Sequence, residues 1–74
     1  MTGITLKEIR ERRGFTQAAA AKLIGVSVDT LGNYERGKSY PSVPEIRKIE
    51  EVYNIPYAKI IFLPIDYDKT VNIL

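Results

Sequence analysis

The chain has no cysteine and no histidine. Without cysteine there is no disulfide framework and no thiolate metal site. Without histidine the commonest metal ligand and general base is missing. Long apolar runs are absent as well, since none approaches the ~18 residues of a membrane span. The opening Met1-Thr2-Gly3-Ile4-Thr5 lacks the basic-then-apolar order of a secretory signal. Nothing resembles a nucleophile–base pair or a phosphate loop, and Glu50 and Glu51 are helix neighbours that do not face each other. These absences predict a cytoplasmic protein that is no enzyme, holds no cofactor or metal and meets no membrane.

What is there is one small domain of 74 residues with an ordinary 45% of hydrophobic residues. A domain of this size is marginal unless its helices pack well or it oligomerises. The net charge is only +2, but residues 1–38 hold seven Lys/Arg against four Asp/Glu, and residues 39–74 four against five. A basic front half suits a polyanion on one face.

Helix starts and stops are readable. Thr5 and Glu8 form a capping box, with Ile4 and Ile9 as a hydrophobic staple, and predict a first helix over about residues 6–13 ended by Gly14. Thr16 caps a second helix from Gln17 to Ile24, rich in alanine and so in helix propensity, and Gly25 stops it. Ser27 caps a third helix over about 28–36, with Asp29 in its first turn and Gly37 beyond its end. Ser42 and Glu45 form a second capping box for a fourth helix reaching Tyr53, with Asn54 as its stop. Pro56 opens a short fifth helix to about Ile61. From Phe62 the pattern changes: Ile65, Tyr67, Val71 and Ile73 alternate with polar residues, as in a half-buried extended strand.

The stretch Thr16–Lys38 carries the functional signal. Two helices joined through three or four residues and crossing at a steep angle need a small residue at the crossing, supplied by Ala21. They need a turn residue at ease with positive φ, supplied by Gly25. Apolar side chains must fill the angle, supplied by Val26 and Leu31. With Leu6-Lys7-Glu8-Ile9-Arg10, Thr16-Gln17, Gly25-Val26-Ser27, Tyr34-Glu35-Arg36-Gly37-Lys38 and Pro41-Ser42, the chain resembles the Cro/repressor-type (XRE) helix-turn-helix family over about residues 4–62.

The resemblance implies an all-α, five-helix lambda-repressor-like DNA-binding domain over residues 1–62. Its helix-turn-helix spans about 16–36, and the resemblance also implies that the third helix enters the major groove of double-stranded operator DNA. Residues 63–74 fall outside the resemblance and read as a short extended apolar tail that packs on the domain, makes a dimer interface or stays disordered until a partner arrives. Base readers would then be Val28, Asp29, Thr30 and Asn33. Phosphate ligands would be Gln17, Ser27, Arg36, Lys38, Ser39 and Tyr40. Arg10 and Glu35 would form an ion pair from helix 1 to the end of helix 3.

Chemically, Asn33 suits adenine, Val28 and Thr30 the thymine methyl, and Asp29 cytosine, although Asp29 also serves as a dipole stabiliser. Gly32, unfavourable by roughly 1 kcal/mol in a helix interior, reads as letting the backbone approach DNA closely. Three residues depart from the family pattern: Ala20 where a large aliphatic is usual, Ala19 where an acid would complete a capping box, and Glu50 where a small buried residue is usual. The expected function is an operator-binding regulator of the phage-repressor or Cro type, a homodimer on DNA. The missing second domain argues against a large cleavable repressor. A protein-binding modulator or antitoxin on the same fold is the alternative, with a partner protein in place of DNA.

Overall fold

In the computed structural model, residues 3–62 are described. Four α-helices follow one another: α1 (Leu6–Arg12), α2 (Gln17–Ile24), α3 (Val28–Arg36) and α4 (Val43–Tyr53). Each begins where a side chain can satisfy an N–H group that the helix itself leaves without a partner. Thr5 Oγ1 accepts from the Glu8 N–H while the Glu8 carboxylate accepts from the Thr5 N–H. Thr16 accepts from Ala19 N–H and Ser27 from Thr30 N–H. The Glu45 carboxylate accepts from Ser42 N–H at 2.9 Å. Gly25 closes α2 at φ 93° and Gly37 closes α3 at φ 79°, a region that glycine enters without steric penalty.

The fifth helix is not formed. Pro56 is extended, only Tyr57–Lys59 make one 3-10 turn, and Ile60–Ile61 form a strand (β2). That strand runs parallel to Ile4–Thr5 (β1), with Ile4 opposite Ile60 and Thr5 opposite Ile61. The fold is therefore mostly helical with a short strand pair, not all-α with five helices. The reason lies across the chain: the β-branched Ile60 and Ile61, suited to an extended backbone, find hydrogen-bonding partners in Ile4 and Thr5. A Cβ at Gly3 would run into the Ile61 side chain, so glycine lets β2 close over the start of the chain. The tail expected over residues 63–74 lies outside the described residues.

One core joins these elements. Leu6 and Ile9 of α1, Ala20, Ala21 and Ile24 of α2, Leu31 and Tyr34 of α3, Ile49 and Tyr53 of α4, and Ile60 of β2 are buried together, with Ile4, Phe15, Val26, Val52, Ile55 and Phe62 packed on them. Ala20 is fully buried. The same core holds an aromatic pair, Phe15 and Tyr53, with centroids 6.1 Å apart. Glu50 has a role of its own: its carboxylate accepts from Tyr57 N–H at 2.7 Å and ties α4 to the 3-10 turn. Arg13 donates to the carbonyls of Tyr53 and Asn54, satisfying the end of α4.

Tyr53 is 0% exposed, and its hydroxyl has no hydrogen-bond partner among the described residues. Burial, with a smaller contribution from the Glu35 charge, pushes its pKa up from 10.0 to about 12. A group whose folded pKa is raised gives stability that is complete below the unfolded value and lost as pH climbs through the folded one. Tyr53→Phe should therefore be about 1 kcal/mol more stable at neutral pH, because an unsatisfied buried hydroxyl is removed. It should also lose less stability than the parent between pH 10 and pH 12. Denaturant melts across that range test both; a clear destabilisation at neutral pH would mean that the hydroxyl has a partner.

Candidate nucleic-acid interface

α3 has two faces of opposite character. Leu31 and Tyr34 point inward and are buried, while Val28, Asp29 and Arg36 are exposed and Thr30 and Asn33 half-exposed. Three ties hold it. Leu31 sits in the core at 0% exposure. Tyr34 donates its hydroxyl to the Glu45 carboxylate at 2.7 Å, linking α3 to the start of α4. Burial, then this hydrogen bond, raises the Tyr34 pKa to about 12. The same bond, ahead of the Ser42 N–H, lowers that of Glu45.

The third tie is ionic. Arg10 Nε donates to Glu35 Oε2 at 2.7 Å and Nη2 to Oε1 at 3.3 Å, while Nη1 donates to the Phe15 carbonyl at 3.0 Å. Both side chains are nearly buried, at 10% and 4% exposure. The hydrogen bond to Glu35 raises the Arg10 pKa against a smaller opposing effect of burial. Gln17 Nε2 joins from the start of α2, donating to Glu35 Oε1 at 3.0 Å. The carboxylate thus anchors both helices of the helix-turn-helix to α1.

The residues singled out in the sequence separate into groups. Val28, Asp29, Thr30 and Asn33 share the outer side of α3, and Lys38 and Ser39 follow in the loop. Gln17 has one of its two amide hydrogens engaged by Glu35. The Ser27 hydroxyl is bound up in the cap, donating to Thr30 Oγ1 at 2.8 Å. Tyr40 lays its ring edge-on to Phe62, 6.5 Å away. Arg36 does not extend into the loop. Its Nη2 donates to Asn33 Oδ1 at 2.7 Å, and its guanidinium fills the space over Gly32, where a Cβ would stand 3.0 Å from Nη1. The room that the glycine leaves is taken by the end of the Arg36 side chain.

Among the ties that the sequence did not disclose are Tyr34–Glu45 and the Arg13 contact with the end of α4. The first had a signal, since a phenol in the last turns of one helix precedes a capping carboxylate across a short loop. Among the described residues, no cluster of three His, Cys, Asp or Glu could hold a metal, and no helix is long and apolar enough to cross a membrane.

A family model described as helix-turn-helix matches residues 6–60. The chain belongs to the Cro/repressor-type (XRE) helix-turn-helix family. Among its relatives in this family, the uncharacterized HTH-type transcriptional regulator YazB of Bacillus subtilis is 40% identical over 53 residues, spanning 72% of this chain and 77% of that protein. The HTH-type transcriptional regulator SutR of Escherichia coli is 38% identical over 60 residues, 81% of this chain but 34% of the relative. The HTH-type transcriptional regulator ImmR of Bacillus subtilis is 36% identical over 53 residues, 72% of this chain and 42% of the relative. Against SutR and two archaeal relatives, the chain spans only about a fifth to a third of their length. All of these family members are named as transcriptional regulators rather than enzymes.

Proposed function

We propose that this protein is a sequence-specific DNA-binding transcription regulator of the phage-repressor type, acting by occupancy of an operator. The observation that carries this reading is the two-faced α3, locked inward by Leu31, Tyr34 and Glu35 and open outward at Val28, Asp29 and Asn33. The names of its relatives support it. On DNA, the first turns of α3 lie in the major groove and α2 abuts the backbone. Asn33 meets adenine, and the methyls of Val28 and Thr30 meet thymine. The N-terminus of α2, Lys38 and Ser39 take phosphates. A domain over residues 1–62 makes few such contacts, so two copies bind half-sites about 34–36 Å apart.

Selection of bound sites from random duplex DNA at fixed salt, followed by anisotropy titration, tests the reading. Enrichment of a two-fold symmetric site is expected, with affinity falling as salt rises at a log–log slope of about −0.9 per phosphate neutralised. Asn33→Ala should weaken that site by about 1–3 kcal/mol with the melting temperature unchanged. No enrichment, with stoichiometric capture of a protein instead, would favour the modulator or antitoxin reading.

A further inference from the structure

Arg36 stands three residues after Asn33 and four after Gly32, so all three share one stripe of α3. Side chains on a helix lean toward its N-terminus, and Arg36 follows this lean onto Asn33 and Gly32. Its charged head therefore lies about one turn ahead of its own Cα, level with Asn33 on the outer face. Gly32 is buried although Asp29 and Arg36 around it are exposed, so its cover is the guanidinium. Any side chain there would crowd the head, beginning with a Cβ 3.0 Å from Nη1.

Resting on the DNA-binding reading above, we propose that Arg36 is a specificity-determining residue that selects a guanine beside the base read by Asn33, with Gly32 as its seat. A guanidinium has five N–H donors in a fixed fork, and guanine N7 and O6 accept from two of them at once. Among the described residues one of these donors, on Nη2, is engaged by Asn33, which leaves others to meet a base. The same bond orients the Asn33 amide. Its carbonyl is held by Arg36, which leaves its NH2 group to donate to an acceptor such as adenine or guanine N7 or thymine O4. The two side chains form one reading head, so the two base positions are coupled.

Site selection with the parent, Arg36→Lys and Gly32→Ala tests this. The parent should enrich a guanine next to the Asn33-dependent base, and replacing that guanine should weaken binding about tenfold or more. Arg36→Lys keeps the charge but not the fork. Because an ammonium also donates to guanine but without the two-point match, the guanine preference should weaken clearly while the salt dependence of binding is retained. Gly32→Ala should weaken the same preference to a lesser degree while raising the melting temperature, as alanine does in a helix interior. If Arg36→Lys selects the parental guanine as strongly as the parent does, the proposal is overturned and DNA binding stands. The same holds if Arg36→Lys lowers affinity evenly at all sites, the signature of a phosphate contact. Parental preference in Gly32→Ala overturns the seat. If the parent enriches no site, the proposal falls together with the reading beneath it.

Discussion

Arg10→Met should lower stability by about 3–5 kcal/mol, whereas Arg12→Met should change it by about 0.5 kcal/mol or less. Both substitutions remove a guanidinium from α1, and only their surroundings differ. Arg12 is exposed. Arg10 makes a two-point contact with Glu35 and a third bond to the Phe15 carbonyl, in a site where the side chains are 10% and 4% exposed. Methionine fills similar volume but donates nothing. It leaves the carboxylate with Gln17 alone, at 3.0 Å, and an uncompensated charge in a nearly dry place is the expensive state. In a domain of this size each kcal/mol moves the midpoint by about 4–8 °C, so thermal melts separate the variants readily. The double variant Arg10→Met/Glu35→Met should recover part of the loss, because replacing both partners removes the stranded charge. Equal midpoints for Arg10→Met and Arg12→Met would show that the pair contributes nothing.

The parts of this fold that are legible in its sequence are those set by neighbouring residues. The bounds of α2, α3 and α4 follow from features within a few residues of each end: Thr16 and Gly25, Ser27 and Gly37, Ser42 and Asn54. Caps and left-handed stops are local devices, and local devices show in a sequence. The strand pair is different. Ile4–Thr5 and Ile60–Ile61 are two residues each, too short for a periodic signal, and they pair only because the helices bring the two ends of the fold together. Ile60 and Ile61 thus read as the end of a helix when their partners are far off in the chain.

The site shows the same division. The outer residues of α3 follow from helical period and from the family pattern. The posture of Arg36 does not, because it depends on the absence of a side chain at Gly32 and on an amide at Asn33 in register with it. A glycine four residues before an arginine on an exposed helix face was the available hint. Glu50 looked out of place against the family pattern, and its bond to Tyr57 N–H explains why a carboxylate is useful there. That bond holds the extended turn where a fifth helix would otherwise begin.

Leu31→Ala should lower stability by about 2–5 kcal/mol, and its effect on DNA should differ in kind from that of Asn33→Ala. Leu31 is 0% exposed in the core that α3 shares with α1 and α2. Its loss removes the apolar contact in the middle of α3, between the cap at Ser27 and the tie at Glu35. A chain of 74 residues has a total stability of only about 4–11 kcal/mol at 0.05–0.15 kcal/mol per residue, so this variant sits near its folding threshold at room temperature. Its outer face is chemically intact, however, and whatever binds the folded state pulls the equilibrium back. Operator DNA should raise the midpoint of Leu31→Ala at least as far as that of the parent, and the apparent affinity should approach the parent's value on cooling toward the temperature of maximum stability. Asn33→Ala should behave oppositely, with an unchanged midpoint in the absence of DNA and a smaller rise in its presence. Melts of both variants with and without the selected site distinguish a helix that is missing from a helix that cannot read. If Leu31→Ala melted like the parent, α3 would be held by its two ends alone, and the inward face would not be what positions the reading head.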